Sequence, residues 1–170
     1  MPPQLIPPWA PNLHPMMVHF PIVLVILACG ADVVLALGRR ARGGASVAVG
    51  LYLLGAVSAA AAYVSGRLAA DTVFIPGMAH GLVDDHGRWA LAATLAVVLT
   101  AAARLAVHLR GRGAGRGVRL LFAAAGLVVV LLVQQTAERG ARLVYEQGVG
   151  VIPGPVAPSP PAGDQASPPR

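Results

Sequence analysis

The sequence predicts an all-α integral membrane protein, an up-and-down bundle of four transmembrane helices. Composition, the spacing of apolar runs and the placement of arginine carry that prediction. Of 170 residues, 56% are hydrophobic and 12% charged, and the mean hydropathy of +0.67 lies far from the soluble average. Four apolar runs of about 20 residues, the length that crosses a bilayer, are joined by short loops. Arg39, Arg40 and Arg42 lie in one connecting loop and Arg110, Arg112 and Arg116 in another on the same side. Basic loops stay in the cytoplasm, so both termini are expected outside it.

Residues 1–14 read as an extended, proline-rich lead, with Trp9 suited to the interfacial belt. The first helix is expected over about 15–38, because Pro15 is accepted in a first turn whose N–H groups have no intrahelical partner. Pro21 falls inside it, removes a hydrogen bond to the Met17 carbonyl and should kink the span. No basic region precedes this run and no small-residue cleavage site follows it, so it reads as a retained span and not a signal peptide. The second helix, about 45–66, carries no charge and places Ser58, Ala62 and Gly66 at every fourth residue. Such a ladder admits a neighbouring helix or a flat ligand closely. Asp84 or Asp85 is placed to cap a third helix over about 86–109, and the fourth spans about 118–138. These elements define a transmembrane domain over 15–152. The tail, 153–170, is rich in proline, glycine, serine and alanine and lacks the apolar surface to fold.

The net charge of +6 does not indicate nucleic acid, since the arginines sit at the ends of apolar runs and form no basic face interleaved with aromatics. The lipid bilayer is the expected partner, with a redox or membrane-complex protein as a second. Cys29 is the single cysteine and lies within the first run, so neither an internal disulfide nor a thiolate cluster is available. No serine, histidine and carboxylate are spaced as a nucleophilic site, and the near absence of mid-membrane charge offers a transporter no path. An enzymatic role has no support in these motifs.

Chemistry concentrates in the histidines. His14, His19, His80 and His86 should gather at the outer end, with His108 about 33 Å from His86 along the third helix. The first and third helices run parallel and are diagonal in such a bundle. His19 and His86, at similar depth, could therefore ligate both faces of a b-type haem, with Ser58, Ala62 and Gly66 lining the cofactor. His14 and His19 are separated by about 140° around a helix, so only one points inward. His14 precedes Pro15 and reads as a cap, leaving His19 as the inward residue, while His80 in its glycine-rich loop could close over a ligand. The bland alternative is that interfacial histidines cap helices or meet headgroups, with no cofactor. A copper or other transition-metal site could draw on His14, His80, His86 and His19 with Met16, Met17 and Met78, because imidazole and thioether together suit copper. A non-catalytic accessory subunit would instead use Gln134, Gln135, Arg142 and Tyr145 to dock a partner. Asp32 and Arg104 are intramembrane charges that either pair or snorkel to the interface. Phase puts Arg104 on the face of His86 but Asp32 nearer the face of His14.

Two signatures, Leu13-His14-Pro15-Met16-Met17-Val18-His19-Phe20-Pro21 and Gly140-Ala141-Arg142-Leu143-Val144-Tyr145-Glu146-Gln147-Gly148-Val149-Gly150-Val151, carry a family resemblance. With Ser65-Gly66 and His86 they resemble the bacterial family catalogued as domain of unknown function twenty-two thirty-one, described as predicted membrane proteins. The resemblance covers about residues 12–152 and implies a multi-pass protein of the bacterial inner membrane. Where the family has Thr-Gly with an acidic residue soon after, this chain has Ser65-Gly66-Arg67 and then Asp71.

Overall fold

The structure, a computed structural model, describes residues 12–38, 43–111 and 115–151. The proline-rich lead with Trp9, the tail from residue 152, and Arg39, Arg40, Arg42 and Arg112 lie outside the described residues. Every regular element described is helical: α1 (His14–Met17), α2 (His19–Ala36), α3 (Gly44–Ala70), a 3₁₀ turn (Gly77–Ala79), α4 (His80–Leu109) and α5 (Arg116–Tyr145). Four helical segments, His14–Ala36, Gly44–Ala70, Gly77–Leu109 and Arg116–Tyr145, are long and apolar enough to cross a membrane. In hydrocarbon the backbone must satisfy its own hydrogen bonds, which helices do locally.

Three boundaries differ from expectation. The second helix runs on to Ala70, and the fourth to Tyr145. The third begins at His80, so Asp84 and Asp85 lie within α4 and cap nothing; the 3₁₀ turn feeds straight into the helix through Ala79. Pro21 acts one turn ahead of itself. The first span is interrupted at Val18, between α1 and α2, where the ring of Pro21 crowds the Met17 carbonyl and supplies it no N–H. Asn12 Oδ1 accepts the His14 N–H at 3.0 Å and steadies the start of α1.

The C-terminal signature is a helix stop. Gly148 takes a positive φ of 65°, the Gly148 N–H reaches the Val144 carbonyl at 3.1 Å, and the Val149 N–H reaches Leu143 at 2.9 Å. This paired pattern closes the last turn of α5 and requires the left-handed residue to be glycine. Gly150 then comes back against Val73 in the α3–α4 connection.

Helix α2 packs on α3 and α5, and α4 packs on the same two. A two-fold pseudo-symmetry organises the core. The buried residues of α2 are Pro21, Val25, Ala28, Cys29 and Asp32, and those of α4 are Ala93, Val97, Thr100, Ala101 and Arg104. Each stands 72 residues after its counterpart, as Arg104 does after Asp32. Helices α3 and α5 repeat in the same way with a displacement longer by two residues. Ala48, Val49, Tyr52, Gly55 and Ala69 correspond to the buried Phe122, Ala123, Gly126, Val129 and Leu143. Val25, Val97 and Val129 form the dry centre. Outward faces are apolar, for example Val23, Ile26 and Leu27 on α2 and Leu127, Val128 and Leu131 on α5. Continuous exposure of this kind is suited to lipid.

Candidate functional site

The pseudo-symmetry extends to two histidines at one end of the bundle. His14 and His86 are equivalent positions, and each imidazole packs against a glycine of the next helix. A Cβ at Gly66 would lie 2.8 Å from His14 Cε1, and one at Gly140 would lie 3.1 Å from His86 Cε1. Gly66 and Gly140 are themselves equivalent, so the missing side chains form a matched pair of ring seats.

Each ring is anchored through Nδ1. His86 Nδ1 donates to the Thr136 carbonyl at 3.0 Å; a carbonyl only accepts, so this nitrogen carries the proton. Ser65 Oγ gives its one proton to the Ala62 carbonyl at 2.9 Å. It must therefore accept from His14 Nδ1, 3.1 Å away. Ala62, whose carbonyl accepts from Ser65, is the equivalent of Thr136, whose carbonyl accepts from His86. In the neutral form both imidazoles thus carry their lone pair on Nε2. An imidazole fixed at Nδ1 by a carbonyl or hydroxyl, with Nε2 left basic, is the usual arrangement of a metal-ligating histidine.

The structure reverses the expected phase of the first span. His19 lies on the exposed surface of α2, and His14, expected as a cap, is the inward residue. The interruption at Val18 does not rescue His19, because α1 delivers His14 directly onto α3. His80 is exposed and bonds its own turn, at 3.2 Å from the Gly77 carbonyl. His108 is exposed, on the last turn of α4 at the opposite end.

The small-residue ladder lies within α3. Gly66 seats His14, Ala62 is buried, and Ser58 donates to the Gly55 carbonyl at 3.0 Å. Met16 and Met78 are exposed and Met17 is half-buried, so the thioethers are not gathered with the histidines. Among the described residues no cluster of three or more His, Cys, Asp or Glu side chains is arranged to hold a metal ion. Of the residues considered for partner docking, Gln135 is engaged by Arg139, Arg142 pairs with Glu138, and Gln134 and Tyr145 are exposed.

A rim of polar contacts fixes α5 against α4 beside His86. Arg139 Nε bonds Asp85 Oδ2 at 2.6 Å, its Nη1 bonds the Gln135 carbonyl and Oε1, and its guanidinium lies 4.2 Å from the centroid of Trp89. At the other end of the bundle Arg104 pairs with Asp32, both almost fully buried. Arg104 also stacks 4.7 Å from the Phe122 ring centroid. Tyr52 Oη reaches across toward Gly126, where a Cβ would lie 2.6 Å from it. Sequence phase sets Asp32 apart from Arg104; they meet because α2 turns the His14 face inward. Sequence reasoning gives Thr136 no role and names Ser65 and Gly140 only within the family signatures. The recurrence of histidine at positions 14 and 86, matching Asp32 and Arg104 in spacing, is the signal that points to them.

Four lipid-compatible helices around an axis with two anchored imidazoles at one end and a buried ion pair toward the other define an integral-membrane helical bundle. Residues 10–153 match the family described as predicted membrane protein (DUF2231), and the chain belongs to it. No curated protein and no solved structure matches it.

Proposed function

We propose that the protein is a b-type haem protein of the bacterial inner membrane in which His14 and His86 are the axial ligands, serving electron transfer or redox sensing at the outer face. One observation carries this reading. Two histidines at equivalent positions are each anchored at Nδ1, with Nε2 free of any hydrogen bond among the described residues. That donor set fits a bis-imidazole haem iron, which exchanges one electron without a change of ligands. The pseudo-two-fold relation favours a ligand with two like faces. Rigid seats at Gly66 and Gly140 would hold both rings in place through the redox change.

The bundle in this reading is up-and-down, with the arginine loops cytoplasmic and the histidine end outside. Asp32 lies about 27 Å from His14 along the helix, beyond the dry Val25, Val97 and Val129 layer. The chemistry therefore stays at one surface and makes no wire across the bilayer. Titration of the purified protein with haemin tests the proposal: saturation at one haem per chain with a six-coordinate, low-spin spectrum is expected, and failure to bind overturns it.

A further inference from the structure

We propose that Arg67 binds an anionic edge group, a carboxylate such as a haem propionate, on the ligand held by His14 and His86; this rests on the haem reading above. Arg67 occupies the last turn of α3, immediately after Gly66, the seat of His14. Its Nη1 reaches toward α4, 4.0 Å from where a Cβ of Gly87 would stand, and Gly87 immediately follows His86. One guanidinium therefore reaches from α3, beside the seat of His14, to α4, beside His86.

The other arginines described at this end are committed. Arg88 and Arg139 pair with Asp85, and Arg142 pairs with Glu138. Arg67 pairs with no carboxylate among the described residues, although Asp71 lies one turn further on. A planar guanidinium presents paired donors that match a carboxylate in two parallel hydrogen bonds. The equivalent of Arg67 in the second half is Ala141. The pseudo-symmetry is thus broken at this point, and a ligand with two like faces but one anionic edge would be held in a single orientation, that edge toward Arg67.

The test titrates the full-length protein in uncharged detergent with haemin and with haemin dimethyl ester, which lacks the carboxylates. Wild type should bind haemin about tenfold or more tighter than the ester, the scale of a charge-assisted hydrogen bond. Arg67→Gln should lose that preference while keeping the ester affinity, which also reports an intact fold, and Arg67→Lys should retain part of it. Equal preference in wild type and Arg67→Gln, with six-coordinate spectra in both, overturns the assignment and leaves the haem reading standing. Absence of that spectrum with both porphyrins overturns the haem reading and this proposal with it. Added phosphatidylglycerol should leave the preference in place; its disappearance would assign the guanidinium to lipid phosphate and overturn the proposal.

Discussion

Arg104 meets Asp32 across the bundle at positions related by the pseudo-two-fold, so symmetric backbones carry complementary charges. Removal of one partner leaves a bare charge in a low-dielectric interior, a cost of about 3–5 kcal/mol. Asp32→Ala should therefore lower the thermal transition of the detergent-solubilised protein sharply. Because the two positions are equivalent, the exchange Asp32→Arg with Arg104→Asp should recover much of the loss. A double variant no more stable than the singles would contradict that equivalence.

Tyr52 and Gly126 are a second complementary pair, the largest buried side chain against none. Gly126→Ala places a methyl 2.6 Å from Tyr52 Oη and 3.3 Å from Cys29 Cα, and overpacking of this kind costs about 1–3 kcal/mol. Tyr52→Phe removes the nearest atom. The double variant should be more stable than the sum of the two single effects, as measured by a thermal double-mutant cycle.

Much of this architecture was legible in the sequence, and the part that was not traces to the phase of the first span and to where the helices begin and end. Four apolar runs near bilayer length announced four helices, because hydrocarbon allows few other solutions. Asp32 was also correctly placed on the face of His14, and Arg104 on the face of His86. Proline after His14 made that residue read as a cap, which turned His19 inward and pulled Asp32 away from Arg104. The seat that decides between the two histidines is Gly66, on another helix, and its place in a small-residue ladder signals a close approach without saying which side chain makes it. The sequence offers Asp84 or Asp85 as a cap, but α4 starts from a 3₁₀ turn with no side-chain cap, which leaves no mark in sequence.

Ser65 and Thr136 separate side-chain from backbone support at the histidine centre. His14 depends on the Ser65 hydroxyl, so Ser65→Ala should weaken haem affinity, with outer-shell losses on the order of 10–100-fold. His86 depends on a backbone carbonyl, and the Thr136 hydroxyl bonds Leu132 instead. Thr136→Val should therefore leave haem affinity close to wild type. Equal losses in both variants, read by haemin titration, would contradict the anchoring described here.

The ring seats make a steric prediction of their own. A side chain at residue 66 must displace His14, since even a methyl would stand 2.8 Å from Cε1. Gly66→Val should abolish six-coordinate haem, whereas Gly81→Val, at an exposed position with open space around it, should not. The two absorption spectra, recorded at matched protein concentration, check this.

The central claim is that His14 and His86, and not His19, are the haem ligands. Absorption spectra of the purified membrane protein from haem-replete cells test it most directly, with His14→Ala, His86→Ala and His19→Ala compared against wild type. A reducible Soret band that survives only His19→Ala is the predicted result. A colourless wild-type protein, or a band lost with His19→Ala and kept with His14→Ala, would contradict it.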